Sequence, residues 1–195
     1  MKTTDIVYKV GRTLYVNLTN RCSNHCNFCI ADYGPELWGY HLRFESPADE
    51  PKAEQVKSAI EDTYDWDELV FCGLGEPWLR IDTIVELLKS LNIPRSQVRI
   101  NTNGHAFLVA PESLLKTVAK YVGSLSVSLN APDAESYQQI CQPKFKERAY
   151  PALLSFIKKA RELFSVTATA VSSSGVDIKA TEELAAQLGV PFRLR

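Results

Sequence analysis

Cysteines stand at 22, 26 and 29 in the stretch RCSNHCNFC, spaced C-x3-C-x2-C. Three thiols in one polar loop do not pack like core residues, but as thiolates they hold a soft metal. A structural zinc site takes four ligands, usually from two separated knuckles. No second knuckle follows, and His25, between Cys22 and Cys26, would be cramped as a fourth ligand. An iron-sulfur cubane tolerates one iron without a protein ligand, and that iron can coordinate a small molecule. An amino acid chelating through its amino and carboxylate groups would fill the position. Glu76, fixed beside Pro77 in GLGEP, supplies a carboxylate able to receive the ammonium.

The other cysteines, Cys72 and Cys141, are too few for an auxiliary cluster and read as packing residues. An odd count of five with three clustered fits a reducing compartment better than a disulfide framework. The net charge of the 195-residue chain is -1 and its Lys and Arg are scattered, so no nucleic acid partner is implied. No apolar run approaches the ~18 residues that span a bilayer, and the N-terminus lacks a secretory apolar region. The expectation is a cytoplasmic protein without membrane contact.

The elements that must position these residues alternate. IVYKVGRTLYVNLT reads as a hairpin around Gly11 whose second strand spans 13–18. A polar loop follows to Pro51, then a helix over 51–64 and a buried strand ELVFC. After it come a helix over 81–91, the strand QVRIN, a helix over 111–121, the strand SLSVSL, helices over 133–164, the strand VTATAV, a helix over 178–188 and the strand PFRL. The rhythm predicts an α/β fold: an open partial (β/α)6 barrel with parallel strands, preceded by a short N-terminal β-hairpin strand, in one domain over 1–195. Ligands in such folds sit beyond the carboxyl ends of the strands. The cysteines, GLGEP, NTNG and SLN all fall at that rim. Gly73 and Gly75 would let backbone approach a ligand, and Asn101, Thr102, Asn103, Ser128 and Asn130 offer hydrogen bonds to a polar small molecule. Asn103-Gly104 also suits a plain turn, and Ser128 and Asn130 a helix cap.

C-x3-C-x2-C with Phe28 just before the third cysteine, placed after the first strand of a β/α chain, resembles the radical S-adenosylmethionine (radical SAM) superfamily. GLGEP is similar to its GGEP motif, with Leu74 at the second glycine position, and the likeness covers essentially the whole chain. The resemblance implies that Cys22, Cys26 and Cys29 bind three irons of a 4Fe-4S cluster while the methionine part of S-adenosylmethionine chelates the fourth. It also implies that Glu76 contacts the methionine ammonium, Thr102 or Asn103 its carboxylate, and Ser128 and Asn130 the ribose region, with Phe28 and Val171 lining the adenine site. An electron donor such as flavodoxin or ferredoxin, and a substrate that the sequence does not name, are implied as partners.

Within the superfamily, SVSLNAPDAESYQQICQP and the short length look most like the compact TatD-linked radical SAM proteins. Two competing readings are 7-carboxy-7-deazaguanine synthase, weakened by Ala31 and Asp32 where the synthase carries a threonine, and the activases of glycyl radical enzymes. From a different class, an iron-sulfur electron carrier or sensor would favour four cysteines and has no use for the polar rim. The loop over 31–50, with Tyr33, Trp38, Tyr40, His41 and Arg43, is expected to face the substrate. Alternatively, Trp38 and Phe44 simply cover the open end of the barrel.

Overall fold

Leu14 and Val16, Leu69 and Phe71, Val98 and Ile100, Leu125 and Val127, and Val166 and Ala168 occupy alternate positions of five strands, and all ten lie in one core. Period two puts such a set on one face of a sheet. The computed structural model describes residues 4–195. Its strands are β1 (Val7–Val10), β2 (Thr13–Val16), β3 (Glu36–Leu37), β4 (Tyr40–His41), β5 (Glu68–Phe71), β6 (Val98–Thr102), β7 (Ser124–Ser128), β8 (Ser165–Ala170) and β9 (Phe192–Leu194). The main sheet runs β1-β2-β5-β6-β7-β8-β9. The β1–β2 pair is antiparallel and every later pair parallel. This is the open six-stranded parallel arrangement, led by a hairpin, that the sequence predicts.

The helices are α1 (Ala53–Glu61), α2 (Ile81–Ser90), α3 (Ala106–Val109), α4 (Leu114–Val118), α5 (Ala134–Cys141), α6 (Ala149–Ala160) and α7 (Ile178–Gln187). Val56, Ile84, Leu87, Leu115, Leu153, Phe156 and Ala185 carry their apolar faces into the same core. No helix among the described residues is long and apolar enough to cross a membrane.

Two expectations are corrected. The helix predicted over 111–121 begins at Leu114 and is preceded by the separate turn α3. Ala110 is extended, as the residue before a proline must be, and so divides them. The helices expected over 133–164 are α5 and α6, divided at Gln142, in the left-handed region at φ 43°, just before Pro143. The loop over 31–50 is not a plain connector, because β3 and β4 pair as a small antiparallel hairpin within it.

Gly73 and Gly75 follow β5. A Cβ on Gly73 would lie 2.1 Å from Asn17 Oδ1, and one on Gly75 would lie 2.5 Å from both the Arg21 and Thr19 carbonyl oxygens. The space beside both glycines is thus occupied by the segment leading from β2 to Cys22. The Asn17 side chain approaches Gly73 and backbone approaches Gly75, and a 2.8 Å bond from the Glu76 N–H to the Arg21 carbonyl holds the two segments together. Gly75→Ala should therefore cost about 1–3 kcal/mol in urea unfolding, because the opposing atoms are backbone and cannot turn aside.

Candidate active site

The carboxyl ends of β2, β5 and β6 converge on Glu76, which is 3% exposed. Its Oε1 accepts from the Trp78 N–H at 3.0 Å and the Thr102 hydroxyl at 2.8 Å, and its Oε2 accepts from the Asn103 N–H at 2.7 Å. Among the described residues no cation pairs with it. Burial pushes its pKa up to about 7, against the pull of the three hydrogen bonds. A carboxylate offers about four acceptor positions, so Oε2 retains capacity for a further donor.

Glu50 is the contrasting carboxylate. Arg21 Nη2 and Arg80 Nη1 reach its Oε2 at 2.8 and 2.9 Å, and the Thr19 hydroxyl donates to Oε1. Burial works to raise its pKa, but the hydrogen bonds from Arg21 and Thr19 and the two positive charges outweigh it and hold the group below its ordinary value. Arg80 also donates to the Leu18 and Pro51 carbonyls, so the segment entering the cysteine loop is braced on both sides.

Beneath that loop runs a network absent from the sequence reading. Asn103 Nδ2 donates to Ser23 Oγ at 2.8 Å, Ser23 Oγ meets His105 Nδ1 at 2.9 Å, His105 Nε2 meets the Tyr137 hydroxyl at 3.0 Å, and Asn24 Nδ2 donates to that hydroxyl at 3.0 Å. His105 is fully buried, and burial lowers its pKa to about 4, so the ring is neutral. The Asn24 N–H and Asn103 Nδ2 also point at Cys22 Sγ, at 3.4 and 3.6 Å. The loop itself is docked on the end of α5, with the His25 and Asn27 N–H groups bonded to the Cys141 and Ile140 carbonyls.

The three thiols are placed differently. Cys22 reaches the surface, yet its sulfur is withdrawn from water, and burial followed by the Glu76 charge pushes its pKa up to about 12. Cys26 lies against Cys141, whose hydrogen bond is the largest cause raising its pKa, followed by burial. Cys29 is raised by burial. Cys141, expected only to pack, is indeed buried but also meets Cys26 and accepts from Asn130 Nδ2 at 3.5 Å. No set of three metal-ligating side chains converges among the described residues. The donor chemistry still suits a soft metal centre, since one loop carries three thiols and N–H groups aim at one sulfur.

Thr102 and Asn103 spend their side chains on protein. The Thr102 hydroxyl donates to Glu76 and accepts from the Gly104 N–H at 3.0 Å, and Asn103 Oδ1 accepts from the His105 N–H. Gly104 at φ 79° makes the expected turn. Asn130, at φ 58°, keeps a buried Oδ1 with no partner. Neither it nor Ser128 caps α5, because Asp133 does so by accepting from the Ser136 N–H. Phe28 packs against the core, and Val171 is half-buried after β8.

An open parallel barrel with a three-cysteine loop and a buried carboxylate at one rim defines an α/β scaffold whose candidate site lies at the carboxyl ends of its strands. The profile of the Radical SAM superfamily matches residues 16–188, and the chain belongs to that superfamily. Membership implies a 4Fe-4S cluster and S-adenosylmethionine as cofactors. The chain is similar to the "Probable dual-specificity RNA methyltransferase RlmN" of Thermoanaerobacter sp. (strain X514), at 26% identity over 152 residues, 75% of this chain and 40% of that protein. It is similar also to the "Probable GTP 3',8-cyclase" of Methanocella arvoryzae, at 33% identity over 132 residues, 68% of this chain and 38% of that protein. The chain thus spans well under half the length of these relatives. Its fold resembles the solved structure of TYW1 with a lysine-pyruvate adduct bound, with TM-score 0.61 at 17% identity, covering 94% of this chain and 65% of that one.

Because the folded pKa of Glu76 is raised from 4.5 to about 7, the folded state binds the extra proton between those values. Its contribution to stability is present at low pH and is lost as pH rises through 7. Unfolding of the metal-free protein should show Glu76→Gln costing more at pH 5 than at pH 8, by about 1–3 kcal/mol. An equal cost at both values would contradict the assignment.

Proposed function

We propose that the rim binds S-adenosylmethionine beside a 4Fe-4S cluster held by Cys22, Cys26 and Cys29, and that the chain is a radical enzyme acting on a small polar substrate. The supporting observation is the buried Glu76 carboxylate, which stands beside the cysteine loop with no cation among the described residues and with acceptor capacity left on Oε2. When bound, the reduced cluster supplies the electron that splits the sulfonium and yields a 5'-deoxyadenosyl radical able to take a hydrogen atom from substrate.

The chain's own residues prepare this site. Glu76 receives the amino group of the methionine part. The Asn24 N–H and the Asn103 amide favour a thiolate at Cys22. Cys26 must exchange its contact with Cys141 for iron, and all three thiols must lose protons that burial holds in place. Asn130 Oδ1 is open to a ribose hydroxyl, with Ser128 beside it on the same rim. Phe28 and Val171 wall the adenine side. In this reading Thr102 and Asn103 position Glu76, and the methionine carboxylate meets the turn through backbone.

The loop over 31–50 sits next to the cysteines. Arg43 is tied to the Ala31 carbonyl, while Tyr33, 79% exposed, and Trp38, 68% exposed at φ 51° and stacked 6.2 Å from Tyr8, remain open to a substrate. Flavodoxin or ferredoxin suits the electron supply. RNA belongs to the name of one relative. The scattered basic residues and the net charge of -1 argue against a polyanion here.

Anaerobically reconstituted protein should hold about four irons. Cys22→Ala, Cys26→Ala and Cys29→Ala should each lose the cluster, whereas Cys72→Ala and Cys141→Ala should keep it, and iron and sulfide analysis decides. Iron lost in Cys141→Ala would reassign a ligand. Glu76→Gln should keep its iron while binding S-adenosylmethionine about 10 to 100-fold more weakly, as expected for a lost charge-assisted hydrogen bond of about 1.5–3 kcal/mol. Unchanged affinity would remove Glu76 from the site.

A further inference from the structure

The strand faces opposite the helices form the inner wall of the barrel. Leu125 and Val127 of β7 and Val98 and Ile100 of β6 belong to the helix-side core, so Ser124, Ser126, Arg99 and Asn101 face inward, as do Tyr15 on β2 and Arg193 on β9. The Arg195 backbone continues β9, bonding the Ala170 carbonyl at 2.8 Å. Its side chain crosses to Ser126 on β7, with Nη2 donating to the hydroxyl at 2.5 Å.

The charges on this wall do not balance. Glu68 is the carboxylate on β5, and Arg99 holds both its oxygens at 2.8 Å. Arg193 lies near enough to Glu68 to lower its pKa further, after the larger effect of Arg99. Arg195 pairs with no carboxylate among the described residues, and its remaining guanidinium donors have no partner there. Burial lowers its pKa, and the charges of Arg193 and Arg99 act in the same direction. Three guanidinium groups thus share one carboxylate on this wall, and the fork of Arg195 that Ser126 leaves free is open to an anion. Arg99 also donates to Asn101 Oδ1 at 2.8 Å, and the Asn101 side chain hydrogen-bonds Cys72 on the neighbouring strand end.

We propose that the barrel interior binds an anionic small molecule, a carboxylate or phosphate ester whose anion pairs with Arg195 while a polar body meets Asn101, Ser126 and Tyr15, and that this is the substrate class of the enzyme. The proposal rests on the functional reading above for the word substrate, and on the wall of the barrel for the anion. Planar guanidinium groups suit bidentate capture of carboxylate and phosphate oxygens. Cys72, the inward residue after β5, is close to Arg195, Arg99 and Glu76, so this chamber adjoins the rim where the cosubstrate is proposed to sit.

The test uses the full chain with its cluster reconstituted, and titrates inorganic phosphate, succinate and, as a neutral control, succinamide by calorimetry. Saturable binding of phosphate or succinate but not of succinamide is expected, and the anion that binds more tightly identifies the headgroup. Arg195→Gln should weaken it at least tenfold, and Arg195→Lys, which keeps the charge and loses the planar fork, should weaken it to an intermediate degree. Arg12→Gln, which alters an arginine paired with Asp65 and Asp67 on the outer surface, should leave it unchanged. Absence of saturable anion binding, or equal binding in Arg195→Gln and Arg195→Lys, would overturn the proposal. S-adenosylmethionine binding is measured on the same samples, so its loss with anion binding retained counts against the functional reading alone.

Discussion

A carboxylate with three hydrogen-bond donors and, among the described residues, no cation stands where β5 and β6 end, and the loops of the rim are arranged around it. Glu76 draws the Asn103 N–H and the Thr102 hydroxyl toward the end of β5, and its own N–H reaches back to Arg21 at the threshold of the cysteine loop. Three strand exits are thereby locked together by one residue, two through its side chain and one through its backbone N–H. Leaving a buried carboxylate without a positive partner is expensive, and its pKa near 7 records the imbalance. The fold supports that local cost with a large apolar layer on its helix side, where Phe71, Ile84, Leu87, Leu125, Leu153 and Phe156 are essentially excluded from water.

Two rigid supports carry the cysteine loop. On one side Glu50 gathers Thr19, Arg21 and Arg80, and on the other Ser23 and Asn24 are tied through His105 and Tyr137 to β6 and α5. His105 can serve because burial keeps it neutral, with one ring nitrogen facing a hydroxyl on each side. The thiols between these supports are less constrained, and the Cys26–Cys141 contact is a state from which Cys26 must depart to share a metal with its neighbours. The supports fix where the loop sits, while side-chain rotation within it remains inexpensive.

The parallel barrel was legible in the sequence because apolar residues at every second position separate strands from helices, and the rim was legible because each unusual stretch follows a strand. What escaped had local causes. The break of the helix around Pro111 follows from a conformational rule that outweighs helical periodicity. The hairpin over 36–41 is only two residues per strand, too short for any pattern. His105 and Tyr137 read as an ordinary polar and an ordinary aromatic position, and only their meeting across 32 residues makes them a network. The glycines of GLGEP were read toward a ligand, and in the fold they also seat the segment after β2, Gly73 against the Asn17 side chain and Gly75 against the Thr19 and Arg21 carbonyls. A signal for the inner wall was present in the alternation of Ser124, Ser126 and Ser128 and in Arg193 and Arg195, because polar residues at period two mark a face that avoids the core.

The central claim is that this rim cleaves S-adenosylmethionine reductively. The direct measurement is 5'-deoxyadenosine formed under anaerobic conditions by the reconstituted, chemically reduced protein given S-adenosylmethionine. Slow formation without any added substrate, abolished in Cys26→Ala, is the result this account predicts. A protein with its full complement of iron that yields none under strong reductant would contradict it.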